Sequence, residues 1–156
     1  MDKLAFSVAL IRKTQNQTVR WLARLNPTTL MLDFVIAQRL ESETFRESAT
    51  REVAWQLGLD RQRDFLVSNM AQVNLEFIDM LPSHFEKTNN KISFYNVEIY
   101  RQKVAEQLDS DPSNIWVNSE EICNGVTDSG RKFNPVVQYL INRSNVIQSW
   151  ESFSGR

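Results

Sequence analysis

Residues 44–60, TFRESATREVAWQLGLD, decide how this chain is read. Thr44 is a good helix N-cap, and Glu47 three residues later completes a capping box, so a helix is predicted to start here. Phe45, Ala49, Val53 and Leu57 recur every four residues and form the stripe that such a helix buries. Gly58 suits the left-handed position just past the helix end. Glu52, Trp55 and Gln56 stand at i, i+3 and i+4 and share one helix face. That face carries one carboxylate, one indole and one amide.

Working outward, residues 4–12 (LAFSVALIR) and 18–25 (TVRWLARL) read as two strands of a hairpin joined by a loop of about five residues. Pro27 ends the second strand because it has no amide hydrogen for a ladder bond. Residues 30–37 (LMLDFVIA) read as a third, mostly buried strand. Two long β-type segments, 64–81 and 91–100, are separated by PSHFEKTNNK. Residues 102–108 form a short helix before Pro112, and NIWV at 114–117 is strand-like. Ser119 caps a turn of helix carrying Glu120 and Glu121. Asn134 caps, and Pro135 opens, a last helix over about 134–148. The order of three strands, helix, two or three strands and helix predicts an α/β (α+β) chain: a mixed β-sheet with helices on both faces, in one domain spanning 1–156.

The bulk composition narrows the function. The chain has 156 residues, 42% of them apolar, which is enough for a sizeable core. A net charge of −1 gives no broad electrostatic footprint for nucleic acid or an anionic membrane. No apolar run approaches the roughly 20 residues of a membrane span. The N-terminal MDKLAFSVALIRK reads as a strand rather than a signal peptide, since no small-residue cleavage pattern follows. A single cysteine, Cys123, cannot form an internal disulfide, so a cytoplasmic protein is expected. Cys123 reads as a small, semi-buried residue, since no histidine is placed to activate it. The lone histidine, His84, reads as an idle loop residue, and no Cys/His cluster indicates zinc.

Residues 37–59 resemble the Nudix box. That signature is Gly, five residues, Glu, seven residues, Arg-Glu, an apolar residue, any residue, Glu-Glu, any residue, Gly and an apolar residue. Glu43, Arg51, Glu52, Val53, Gly58 and Leu59 match it. Ala37 stands where the glycine belongs, and Trp55 and Gln56 stand where the paired glutamates belong. The surrounding strands, the stretch from Trp116 to Glu121 and the closing helix also look like a Nudix-type α/β/α sandwich.

The resemblance implies a helix that presents carboxylates to magnesium or manganese, which hold a diphosphate while water attacks phosphorus. It also implies a structural ion pair between Glu43 and Arg51. In this chain Glu52 alone remains of the three helix carboxylates. It is the candidate metal ligand and, with Gln56, the candidate catalytic residue. Gln56 offers a neutral carbonyl but no charge, and Trp55 offers no metal ligand. Trp55 is instead a candidate platform for stacking a flat ligand group, with plain packing as the alternative. Glu76, Asp79 or Glu98 could supply a carboxylate from a strand, and the sequence does not choose among them. The expectation is a box degenerate enough to weaken magnesium or manganese binding and to impair or abolish pyrophosphohydrolase activity. The protein is then a binding or interaction module for a nucleotide-like ligand, as a monomer or homodimer. Two alternatives stand beside it: an atypical metal-dependent Nudix hydrolase, and a purely structural partner protein.

Overall fold

The computed structural model describes residues 3–78 and 89–150. Its elements are β1 (Lys3–Gln15), β2 (Thr18–Leu25), β3 (Leu32–Asp33), β4 (Val35–Gln38), α1 (Phe45–Leu57), β5 (Leu66–Val67), β6 (Val73–Ile78), β7 (Asn89–Glu98), α2 (Gln102–Asp109), β8 (Asn114–Val117), α3 (Ser119–Asn124) and α4 (Pro135–Ser144). The strands form one mixed sheet in the order β3-β2-β1-β7-β5. β4 also pairs with β1, β6 with β7, and β8 with β2. Among the described residues no helix is long and apolar enough to cross a membrane.

β1 organises the sheet. It runs parallel to β7 from Lys3↔Asn89 to Arg12↔Glu98 and antiparallel to β4 and then β2 on its other side. Paired on both flanks and covered on both faces, such a strand reads as a nearly continuous apolar run. Side chains alternate between two cores. Val8, Leu10, Trp21, Ile92 and Phe94 join the core under α3 and α4, with Val137, Leu140 and Ile141. Ala9, Ile11, Leu22, Tyr95 and Val97 join the core under α1 and α2, with Ala49, Val53, Val104 and Leu108. The result is a helix layer on each face of the mixed sheet.

Several local expectations change. The hairpin loop is two residues rather than five. β1 continues to Gln15, and Asn16 and Gln17 turn the chain with φ of 52° and 63°. Two consecutive positive φ values match the twist of the flanking strands, and asparagine tolerates them well. The strand expected over 30–37 is broken at Phe34. β3 pairs with β2, β4 pairs with β1, and between them Phe34 turns into the core against Phe133, with ring centroids 6.1 Å apart. The segment expected over 64–81 gives, among the described residues, two strands, β5 and β6, instead of one. Asn118, not Ser119, caps α3: its side chain accepts from the Glu121 amide while Glu121 reaches back to the Asn118 amide. α4 ends at Ser144 rather than near 148, because Asn145 takes a left-handed conformation.

The helix at 45–57 forms as expected. Thr44 and Glu47 make both bonds of the capping box, and Gly58 closes the helix at φ 65°. Its buried side chains are Ser48, Ala49 and Val53, with Phe45 and Leu57 partly buried beside them. Ser48 Oγ lies 2.9 Å from Ser7 Oγ, so a pair of hydroxyls ties the helix to β1 where an apolar pair would otherwise sit. Arg46 anchors the same helix to the end of β5, donating to the Val67 and Ser68 carbonyls at 3.0 Å each.

Candidate functional site

The outer side of α1 carries a closed network centred on Arg51. Its Nε and Nη2 donate to the two oxygens of Glu43 at 2.7 and 3.0 Å, a bidentate pair. Nη2 also reaches the Gln38 carbonyl at 2.9 Å, and Nη1 donates to Glu52 Oε2 at 2.5 Å. Glu43 Oε1 accepts from the Leu40 amide as well, and Arg39 donates to the Glu43 carbonyl at 2.8 Å. One guanidinium therefore joins the end of β4, the loop before α1 and the helix. Arg51 hydrogen bonding holds the Glu43 carboxyl below its usual range, with the Leu40 amide helping. The same partnership raises Arg51.

Glu52 is engaged on both oxygens. Oε2 takes Arg51, and Oε1 accepts from Gln56 Nε2 at 2.9 Å. A carboxylate only accepts, so Gln56 must turn its NH₂ toward Glu52 and its carbonyl oxygen away. Gln56 and Glu52 thus sit together, as their spacing predicts, but as donor and acceptor rather than as two oxygen ligands. Trp55 lies on the exposed side of the helix with 77% of its surface open. Plain packing does not account for it. As a seat for a divalent cation, Glu52 is a carboxylate already bonded to a guanidinium and an amide, and Glu43 is held by that same guanidinium. Among the described residues no three histidine, cysteine or acidic side chains come together as a metal site.

The strand acids divide clearly. Glu98 is bonded to Arg12, its register partner across β1 and β7. It shares its side of β7 with Phe94 and Ile92, which belong to the core under α4, whereas Val97 and Tyr95 face α1. Glu98 therefore points away from Glu52 and completes no site with it. Glu76 is the register partner of Lys91 on β7. Asp79 and His84 lie outside the described residues. Cys123 is half-buried on α3, and its Sγ lies 3.4 Å from the Ile147 carbonyl.

A second constellation escapes the sequence reading. Between β4 and α4 a cavity of about 200 Å³ is walled by Phe6, Ile36, Ile92, Val136, Val137 and Leu140, and Asp33 and Asn134 supply its polar edge. Asp33 is half-buried. Desolvation by the surrounding side chains raises its carboxyl, and hydrogen bonds to the Asn134 and Asn26 side chains only partly offset that. Asn134 caps α4 through Oδ1, which accepts from the Val136 amide at 2.9 Å. The cavity thus has apolar walls and one edge with both donors and acceptors. It also shares β4 with the α1 network, since Ile36 lines it and the Gln38 carbonyl holds Arg51. A lone acid inside the apolar run LMLDFVIA was the signal for Asp33, because a carboxylate there must find partners or lose its charge.

No family model matches the sequence, and no curated protein matches it. Solved structures do match. A Caenorhabditis elegans Ap4A hydrolase is 8% identical, with a TM-score of 0.57 over 80% of this chain and 86% of that one. A putative NUDIX hydrolase from Listeria monocytogenes is 12% identical, with a TM-score of 0.55 over 92% of this chain and 97% of that one. Shewanella oneidensis NrtR, complexed with a 27mer DNA, is 10% identical, with a TM-score of 0.61 over 89% of this chain and 59% of that one. The mixed sheet with α1 on one face and α4 on the other is a Nudix-type fold.

Proposed function

We propose that this chain is a Nudix-fold binding module with a degenerate box. It takes a nucleotide-like ligand in the cavity beside Asp33 and Asn134 and turns it over poorly, if at all. The observation that carries the reading is Glu52. Both of its oxygens are engaged by protein donors, one of them an amide standing where the resemblance calls for a carboxylate. A magnesium or manganese ion arriving at Glu52 meets the Arg51 guanidinium on one oxygen and the Gln56 amide on the other, and the box carboxylate Glu43 is held by the same guanidinium, so weak affinity is expected. The residues present do not fit the family's cation. Glu43 and Arg51 keep their structural role.

Two places offer to hold a flat heteroaromatic group. The cavity surrounds it with apolar walls and reads its edge through Asp33 and Asn134, as ligand sites generally do. The exposed ring of Trp55, one turn beyond Glu52, offers a single stacking face, so it serves a part of the ligand outside the cavity. The cavity is favoured because it removes more of the group from water.

Titration calorimetry with adenosine and with ADP, each in EDTA and in magnesium, tests this. Binding that is equal in both media and weakened roughly tenfold, about 1.4 kcal/mol, by Asp33→Ala supports the reading. Magnesium-dependent product release that disappears in Glu52→Ala overturns it and favours the atypical hydrolase.

A further inference from the structure

The tip of the β1–β2 hairpin carries an arrangement that neither the α1 network nor the Asp33 cavity uses. Lys13 and Arg20 are direct cross-strand partners. Like charges placed opposite each other in an antiparallel pair repel, so this pairing needs a compensating anion or a compensating contact. Lys13 is held in place. Its ammonium lies 4.3 Å from the centroid of the Trp116 ring and 4.0 Å from Asp109 Oδ1, and its side chain is 17% exposed. That Asp109 oxygen also accepts the Trp116 indole N–H at 2.6 Å and keeps its charge, so it balances Lys13 in part. Among the described residues Arg20 pairs with no carboxylate. It donates to the neighbouring Val19 carbonyl.

These two cations open onto a groove of about 380 Å³ lined by Lys13, Gln15, Asn16, Thr18, Arg20 and Trp116. The lining holds two cations, two side-chain amides and a hydroxyl, and no carboxylate. In a chain of net charge −1, this is a local concentration of one sign against a low-dielectric wall. The indole beneath Lys13 restrains the ammonium before any ligand arrives, so less side-chain freedom is lost on binding. The two-residue turn at Asn16 and Gln17 fixes the register that sets Lys13 against Arg20.

We infer that this groove binds the phosphate groups of a small polyphosphate, free or as the tail of a nucleotide. Two neighbouring oxyanions match two cations on adjacent strands, and the amides of Gln15 and Asn16 supply neutral donors at the rim. A phosphate there relieves the Lys13–Arg20 repulsion, which ties binding to stability. The site stands independently of the Asp33 cavity, on the other side of the sheet.

The test is a heteronuclear NMR titration of the full chain at low salt with inorganic tripolyphosphate, then with ADP, reading the Trp116 indole N–H and the amides of residues 13–20. Trp116→Phe assigns the indole signal. Saturable shifts confined to those groups are expected with tripolyphosphate, weakening as salt rises and at least roughly tenfold weaker in Lys13→Gln/Arg20→Gln. Arg20→Gln should raise the melting temperature in phosphate-free buffer, and tripolyphosphate should raise it more for the natural chain than for the double variant. If ADP shifts both the hairpin and residues around Asp33, while Asp33→Ala removes only the latter, the groove is a phosphate site that nucleotides can use. If tripolyphosphate leaves these resonances unmoved, or moves them equally in the double variant, the inference is wrong whatever happens at Asp33.

Discussion

Replacing Gln56 with glutamate asks whether the amide at this position holds Glu52 in its present state. In the natural chain Gln56 Nε2 donates to Glu52 Oε1 at 2.9 Å, and the Glu52 side chain is 18% exposed. Gln56→Glu removes that donor and sets a second negative charge one turn away. Two unit charges at about 4 Å repel by ~1 kcal/mol in water and ~4 kcal/mol at an effective dielectric near 20. A lost hydrogen bond to a charged group adds ~1 kcal/mol or more. Arg51 offsets part of the repulsion, while glutamine and glutamate have nearly equal helix propensity. A net loss of about 2 kcal/mol follows at neutral pH, or a melting temperature lowered by roughly 4–8 °C for a chain of this size. Gln56→Ala, which loses the bond without adding charge, should lose about half as much. The new carboxyl is destabilised in its charged form, so its midpoint rises on folding. The cost is therefore full at neutral pH and fades on acidification as that carboxyl protonates. Magnesium or manganese at about 100 times its dissociation constant would return ~2.7 kcal/mol, most readily in Trp55→Glu/Gln56→Glu, where three carboxylates share the face. Scanning calorimetry in EDTA and in excess magnesium reads all of this. A Gln56→Glu variant that melts at or above the natural temperature in EDTA at neutral pH refutes the reasoning. So does a natural chain with the full magnesium-dependent shift that Glu52→Ala abolishes.

Three further outcomes are expected. Glu43, held below its usual range by Arg51, contributes stability that is present at neutral pH and lost as pH falls through its lowered value; Glu43→Gln should lower the melting temperature at pH 7 and flatten the acid limb below pH 4.5, the ordinary value for that carboxyl. Asp33 is raised by desolvation, so its charged form costs stability above its folded value and protonation relieves that cost. Asp33→Asn should therefore narrow the stability gained on acidification below neutrality, as followed by thermal melts across pH. Thr44→Ala and Gly58→Ala should each cost ~1 kcal/mol in denaturant titration, the first by removing the cap and the second by forcing a Cβ into a left-handed residue at φ 65°. A neutral Gly58→Ala would show that the helix end relaxes.

Local chemistry determined a good deal of this protein. The α1 helix, its capping box, its left-handed Gly58 and the Asn134-Pro135 start of α4 all follow from interactions within four residues, so they are legible in the chain alone. The Glu43–Arg51 pair is expected from the resemblance of residues 37–59 to the Nudix box, and the structure forms it as a bidentate pair. Partnerships that depend on which strands meet were not legible. Phe34 interrupts a continuous apolar run because β2 and β1 each claim one half of it, and nothing in LMLDFVIA marks where the exchange falls. Glu98 stood equal to Glu76 and Asp79 as a candidate acid until the parallel register with β1 placed it beside Arg12, on the face away from α1. Asp33 and Asn134 are about a hundred residues apart, and the bridge between Leu32 and Phe133, with the Asn134 amide donating to the Leu32 carbonyl at 2.9 Å, makes them neighbours. Lys13 opposes Arg20 because the turn uses two residues instead of five, which sets every cross-strand pair beyond it. Side-chain alternation and helix periodicity are properties of a segment. Register, sheet order and burial belong to the assembled sheet, and the charge of a carboxyl such as Asp33 is decided there.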